Sequence, residues 1–500
     1  MTSILTIPEF LQRGVQKWPD TPWCRTPDGV VTRAEIYADS LRCAGGLKTL
    51  GVQPGERVVI FLPNGHDFLR AWFALAMCGA ISVAVNPAAH SELAAVVKEV
   101  EGRFVIAETV PEAPVSARIL SVAELLVGEP ITPVECQPDQ PASFIQSSGS
   151  TGRPKLVIET HKMYTLAAEG YPYWLNIGED DVVLTALPLS HLNAQAYSTL
   201  GSFGCGAELV LLPRFSAATF WQSVHEYRAT VFNAIGAMLE ILMNRPPSPS
   251  EAAHRVRICY SAPAPTPERH EEIEKRFGFR LVIGYAMSET PYGLVVPIDE
   301  PTVYGSMGRP RQHPELGEIN RVRIVGEDGN RVEVGETGEL QLLNPAITPG
   351  HFGTETEVLA MTDDGWLQTG DLAFADDAGN LFFAGRIKDM IRRRGENLSA
   401  ADVENVLDEH PDVASSAVIG VPSPLGEDDI KAFIMVQREA SLNATEVEAW
   451  CKDRLPPYKR PRYVEFVRSW PLTDTMKIAK KSLPRERTAR ETDLQPAYPG

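Results

Sequence analysis

Hydrophobic and polar positions alternate along this chain in blocks that change period, and the changes outline its architecture. Arg57-Val58-Val59-Ile60-Phe61-Leu62 follows a polar turn at Glu56 and predicts a buried strand. An apolar helix is predicted around Phe68 to Cys78, and a second strand over Ile81 to Val85. The same rhythm returns at Val182 to Leu187, Glu208 to Leu212, Thr230 to Asn233, Arg257 to Ser261 and Arg280 to Ile283. Buried strands separated by helix-like stretches predict an α/β fold with a mostly parallel sheet.

From Gly305 to Gly385 the pattern shortens to alternating runs such as Arg321 to Val325 and Glu339 to Leu342, divided by Gly, Asp and Asn, so a β-rich part is expected over about 305–385. After Asp389 an α+β pattern begins: helix Ala401 to Glu409, strands Ser416 to Val421 and Lys431 to Val436, and helix Thr445 to Leu455. The expected division is a large N-terminal domain, 1–388, and a small C-terminal domain, 389–500. The break near Lys388-Asp389 contains no long linker, which predicts a short hinge.

At 500 residues the chain exceeds one ordinary hydrophobic core, and its 44% apolar and 22% charged residues suit a folded globular protein. A formal net charge of −18 opposes general binding to nucleic acid or anionic membranes, so any anionic ligand needs a local basic pocket. No apolar run approaches the ~18 residues of a membrane span, and the N-terminus lacks a secretory pattern; a cytoplasmic location is the expectation. The seven cysteines are scattered without a Cys-x-x-Cys pair, which suits reduced thiols, with Cys78 and Cys205 expected as packing residues.

The strongest chemical signal is Ser147-Ser148-Gly149-Ser150-Thr151-Gly152-Arg153-Pro154-Lys155, directly after the strand-like Ala142 to Ile145. Hydroxyls, glycines that admit close backbone approach, and two cations suit a polyphosphate cradle. The spacing differs from Gly-x-x-x-x-Gly-Lys-Ser/Thr, which argues against an ordinary P-loop.

With Gly284-Tyr285-Ala286-Met287-Ser288-Glu289-Thr290, Gly338-Glu339-Leu340, Thr369-Gly370-Asp371, Gly385-Arg386-Ile387-Lys388-Asp389, Gly395-Glu396-Asn397 and Lys477, this loop forms an ordered series spanning nearly the whole chain. That series resembles the adenylate-forming superfamily, which includes acyl-CoA synthetases, peptide-synthetase adenylation domains and beetle luciferases. His191 to Tyr197 and Leu211 to Phe215 are similar to the crotonobetaine/carnitine-CoA ligase-like branch.

The resemblance implies that ATP and a carboxylic acid react to an acyl-adenylate and pyrophosphate, with transfer of the acyl group to CoA. It implies ATP or AMP contacts at Ser147 to Gly152, Lys155, Ser261, Ala262, Pro263 and Gly284 to Ser288. Thr290 would meet a phosphate, Tyr285 adenine, and Glu289 Mg²⁺, a hard cation suited to carboxylate and phosphate oxygens. Asp371 would accept from the ribose hydroxyls beside Arg386, because an ionised carboxylate offers two acceptor oxygens. Lys477 would be the catalytic cation, offsetting repulsion as an anionic carboxylate attacks the α-phosphorus.

The acid pocket would involve His191, Asn193, Ile235, Gly236, Met238 and Gly284. His191 is read there as a gate or, equally, as a structural imidazole. Apolar residues dominate these stretches, which favours an aliphatic or aromatic acid over an amino acid. The C-terminal domain would rotate about Asp389 after adenylation, withdrawing Lys477 and bringing the Gly395-Glu396-Asn397 face to a CoA passage. A carrier-protein thiol or an amine is the alternative acceptor. Two departures stand out: Met476 precedes Lys477 and Leu156 follows Lys155, where the family usually has glycine.

Overall fold

The computed structural model describes residues 4–109, 115–147, 155–251, 253–353, 359–393, 396–423, 427–438, 440–472 and 478–494. Ser148, Gly149, Ser150, Thr151, Gly152, Gly395, Met476 and Lys477 lie outside the described residues, and for Glu396 and Asn397 only the backbone is described.

Local sequence explains how the elements begin. Thr6 caps helix Ile7–Lys17 while Glu9 reaches back to the Thr6 amide at 2.7 Å, a reciprocal capping box reinforced by Pro8 in the first turn. Thr32 with Glu35 and Asn443 with Glu446 repeat the device at helices Arg33–Thr49 and Ala444–Arg454.

Strands Arg57–Phe61 and Ile81–Ala84 flank helix His66–Met77 and pair in parallel, giving the expected βαβ unit. They belong to a seven-stranded sheet that also holds strand Phe104–Ala107 and the antiparallel pair Pro141–Ser147 and Lys155–Thr160. A thirteen-stranded sheet carries the rest of the N-terminal part. At its centre Glu208–Leu211, Val182–Thr185, Val231–Asn233, Ile258–Ser261 and Arg280–Met287 lie side by side in parallel. Strand Arg280–Met287 runs past its expected end and turns into Thr290–Val295 as an antiparallel partner.

Strands Ser306–Pro310, Arg321–Val325, Gly338–Leu343, Leu367–Ala375 and Leu381–Arg386 form the β-rich part, all antiparallel. They gather their own apolar core around Leu294, Met307, Ile324, Leu340, Ala373 and Leu381, yet they hydrogen-bond on to the parallel strands through Thr290–Val295. After the short helix Ile387–Asp389, strands Met390–Arg393 and Glu396–Ser399 form a hairpin leading into helix Ala400–Asp408. Val413–Pro422, Asp428–Val436, Tyr463–Phe466 and Glu491–Asp493 make a separate four-stranded sheet with its own core, including Val403, Leu407, Ile430 and Ile434.

Among the described residues no helix is long and apolar enough to cross a membrane. All seven cysteines are free. Cys78 is buried while Cys205 is only half-buried. Burial pushes both thiols up to about 11, away from reactive thiolate.

Candidate active site

The parallel strands place several candidate residues in the loops at their carboxyl ends. Strand Val182–Thr185 has Glu208–Leu211 on one side and Val231–Asn233 on the other, so the chain reverses its direction of travel across the sheet at this point. Loops leaving the carboxyl ends of strands at such a reversal separate and leave room for a ligand. His191 and Asn193 follow one strand, Ile235 and Gly236 the next, and Ala262 and Pro263 the third. The Asn233 amide donates to Asn193 Oδ1 at 2.8 Å, and the Gly236 amide donates to the Ala262 carbonyl at 3.0 Å, tying these loops together. Asn193 opens a π-helix, Asn193–Gly201, a geometry that recurs at functional sites.

Tyr285, Asp371 and Arg386 meet beyond the end of the parallel strands. The Tyr285 hydroxyl donates to Asp371 Oδ2 at 2.8 Å, and Arg386 Nε lies 2.9 Å from Oδ1. Register explains the second contact, since Asp371 and Arg386 are direct cross-strand partners. Burial and then the Asp371 charge push the Tyr285 phenol far above its ordinary range, so it stays a donor. Each Asp371 oxygen retains acceptor capacity for one further hydroxyl.

Glu289 stands at the turn between Arg280–Met287 and Thr290–Val295. Burial raises its carboxyl, but the His351 imidazole at 3.1 Å, a backbone donor and the Lys155 charge outweigh this and hold it below the usual range. The Thr348 amide donates to the Glu289 carbonyl at 2.8 Å, and the Thr348 hydroxyl donates to Ile158 at 2.6 Å, so both sheets fix this turn. Ser147 and Lys155 are cross-strand partners, which anchors the two ends of the Ser/Gly/Thr segment beside Glu289.

Thr290 is buried against Asn344, with its hydroxyl donating at 3.2 Å. Ser261 is buried, and Met238, on helix Gly236–Met243, packs into the hydrophobic core of the N-terminal part. Ala286 is exposed, while Met287 and Ser288 are half-buried. Asp389 ends the short helix after Arg386, between the two parts of the chain.

Leu156, the departure beside Lys155, is fully buried in a cluster with Phe144 and Phe352. An apolar contact thus occupies the place of backbone freedom, without displacing the neighbouring cation from the Glu289 field.

Several residues have no linear signal. His351 is a lone histidine, yet strand pairing with Val157 brings it to Glu289. Glu159 is completely buried, and neither carboxylate oxygen has a hydrogen-bond partner among the described residues. Arg311, Tyr197 and Tyr260 form a buried polar cluster behind Gly284. A buried charge at an irregular position is the single clue such residues leave in one sequence.

Known proteins with this architecture share both parts of the chain. The family model for the AMP-binding enzyme matches residues 11–352, and that for the AMP-binding enzyme C-terminal domain matches 402–477. Crotonobetaine/carnitine–CoA ligase from Escherichia coli is 30% identical over 499 residues, covering 92% of this chain and 95% of the relative. O-succinylbenzoate coenzyme A synthetase from Bacillus subtilis, solved with AMP, superposes with a TM-score of 0.85 at 27% identity, covering 98% of this chain and 100% of that one. A benzoate CoA ligase from Burkholderia xenovorans gives 0.86 at 26% identity, covering 95% and 99%. With both family models matched in order along the chain, this chain belongs to the AMP-binding enzyme family, the adenylate-forming group that contains the acyl-CoA ligases.

Proposed function

We propose that this protein is an acid–thiol ligase: it activates a carboxylic acid with ATP to an acyl-adenylate and pyrophosphate, then transfers the acyl group to CoA and releases AMP. The observation that carries this reading is the meeting of Tyr285 and Arg386 on Asp371, together with Glu289, close after Tyr285 in the chain, held ionised by His351 and Lys155. A carboxylate with fixed donors suits a ribose, and a cation beside an ionised carboxylate suits a polyphosphate with its metal.

In the first half-reaction Asp371 accepts from the ribose hydroxyls, with its orientation held by Tyr285 and Arg386. Lys155 and the segment after Ser147 hold the phosphates. Glu289 fits a divalent cation, because Mg²⁺ takes one or two carboxylates together with substrate phosphates. When bound, that ion neutralises phosphate charge. Lys477 stands between the acid carboxylate and the α-phosphate, where its charge offsets their repulsion as the new bond forms.

The acid lies against the His191, Asn193, Ile235, Gly236, Met238 and Gly284 side of the crevice. The C-terminal part, 389–500, then turns about Asp389, withdraws Lys477 and brings Gly395, Glu396 and Asn397 to a passage for the CoA thiol. Thiolate already present at neutral pH attacks the acyl carbon and expels AMP, so no dedicated strong base is required. The enzyme works in the cytoplasm, where ATP and CoA are available.

A panel of carboxylic acids with ATP and Mg²⁺, assayed for AMP with and without CoA, tests the reading. Acid-dependent AMP formation that yields an acyl-CoA is expected. Turnover requiring an amine or carrier protein in place of free CoA would reassign the acceptor, and absence of acid-dependent pyrophosphate release would remove the enzyme reading altogether.

A further inference from the structure

A buried phenol sets the direction of a side-chain hydrogen-bond relay that ends at an accessible amide. Tyr171, on helix His161–Leu175, is 0% exposed, and so is Asn233, the last residue of strand Val231–Asn233. The Tyr171 hydroxyl has one hydrogen-bond partner among the described residues, Asn233 Oδ1. Burial pushes this phenol far above its ordinary range, so it keeps its proton. That proton needs an acceptor, because a buried O–H left without one costs its full desolvation energy. Tyr171 therefore donates, and the carbonyl end of the Asn233 amide, rather than its NH2 end, faces it.

The rest of the orientation follows. With Oδ1 taken by Tyr171, Asn233 turns Nδ2 the other way and donates to Asn193 Oδ1 at 2.8 Å. Turning the Asn193 amide over would set its NH2 against that of Asn233, two donors with no acceptor between them. Asn193 thus shows Nδ2 away from the relay.

That nitrogen has no acceptor among the described residues, and unlike the orphaned Ser190 and Ser261 hydroxyls it is not sealed from solvent. Asn193 is half-buried, as are Ile235, Gly236 and Ala262, while Pro263 is exposed. The outermost amide of the relay is therefore open to a small molecule at the carboxyl ends of the parallel strands.

We infer that Asn193 is a specificity-determining donor, and that the acid carries an oxygen acceptor, a carbonyl or ether oxygen, besides its reacting carboxylate. Asn233 and Tyr171 are positioning residues that decide which end of the Asn193 amide is shown. This rests on the acid-activation reading above, which lays the acid along His191, Asn193, Ile235 and Gly236, and it narrows the aliphatic or aromatic acid to one with such an oxygen. An acid with a methylene in that place displaces water from Nδ2 and returns no hydrogen bond. An acid that offers only an N–H there sets donor against donor.

The test uses the intact enzyme and pairs of acids of several lengths: oxo and alkoxy acids, their all-carbon counterparts, and counterparts bearing an ammonium group. Acid-dependent pyrophosphate release is measured for each. Wild type is expected to show kcat/KM about 10-fold higher for the acceptor-bearing member of a pair, and Asn193→Ala to bring that ratio to about one. Asn233→Asp gives the sharper readout, since a carboxylate accepts from both Tyr171 and Asn193, turns the Asn193 amide over and shows its Oδ1. The preference should then pass to the ammonium-bearing acid. Equal wild-type values within pairs overturn the inference, as does a ratio that survives Asn193→Ala. Equal losses on both members in that variant would place the amide on the reacting carboxylate and also overturn it. An unchanged preference in a folded Asn233→Asp protein overturns the relay; if that variant fails to fold, the wild-type and Asn193→Ala ratios decide. Pyrophosphate release without the preference leaves acid activation standing, whereas release with no acid overturns both.

Discussion

The Tyr285 hydroxyl and the Asp371 carboxylate meet at 2.8 Å although 86 residues separate them in the chain. One residue comes from the last parallel strand and the other from the antiparallel β-rich part, so their bond orients the acceptor proposed for ribose across the junction of two architectures. Asp371→Asn removes the charge and leaves Arg386 unpaired. Its expected effect is a fall of about 10- to 100-fold in kcat/KM for ATP, against about 2- to 10-fold for Tyr285→Phe, which removes one oriented donor. ATP-dependent pyrophosphate exchange with a fixed acid measures both.

Glu289 is held ionised by His351 and Lys155 despite burial. Its folded pKa lies below the ordinary value, so the carboxylate persists as pH falls and is lost only when pH passes through that lowered value. Replacing His351 with Ala removes a major lowering contact and moves the acidic limb of the adenylation pH profile to higher pH. Metal affinity measured with Mn²⁺ should weaken at mildly acidic pH and recover at pH 8. An unchanged acidic limb would show that Glu289 does not govern it.

Glu159 faces the opposite situation. Burial, and then the charge of Glu289, push its carboxyl well above the usual range. The folded protein therefore keeps a proton that the unfolded chain releases, so stability falls as pH rises from the unfolded value through the folded one. Glu159→Gln replaces the group with a neutral isostere. Thermal unfolding should give the variant a higher Tm than wild type at pH 8, with the gap shrinking toward pH 5. A constant gap would mean that Glu159 is not protonated in the fold.

Lys477→Ala should reduce acid-dependent pyrophosphate exchange by about 100- to 1,000-fold, the range for an electrostatic group acting in a transition state. Thioester formation from a supplied acyl-adenylate should be reduced far less, because the proposed rotation withdraws this lysine before CoA enters. Equal losses in both half-reactions would contradict that division of labour.

By itself the sequence determined what neighbouring residues can specify. Apolar period predicted the parallel strands and the helices between them, and turn residues marked a β-rich part from Gly305, although antiparallel pairing already begins at Thr290–Val295. Ordered motifs carried the family resemblance and selected Tyr285, Glu289, Asp371 and Arg386, because each lies in a short stretch whose chemistry is readable in place. Tertiary structure alone decided which distant groups share a charge or a proton. His351 reaches Glu289 through strand pairing with Val157, and Arg311 reaches Gly284 because strands Arg280–Met287, Thr290–Val295 and Ser306–Pro310 pair in succession. Leu156 could be read in sequence only as a missing glycine; the fold buries it against Phe144 and Phe352. The physical reason is range: hydrophobic period and capping act over a few residues, whereas desolvation and Coulomb interaction depend on what the completed fold brings within a few ångströms.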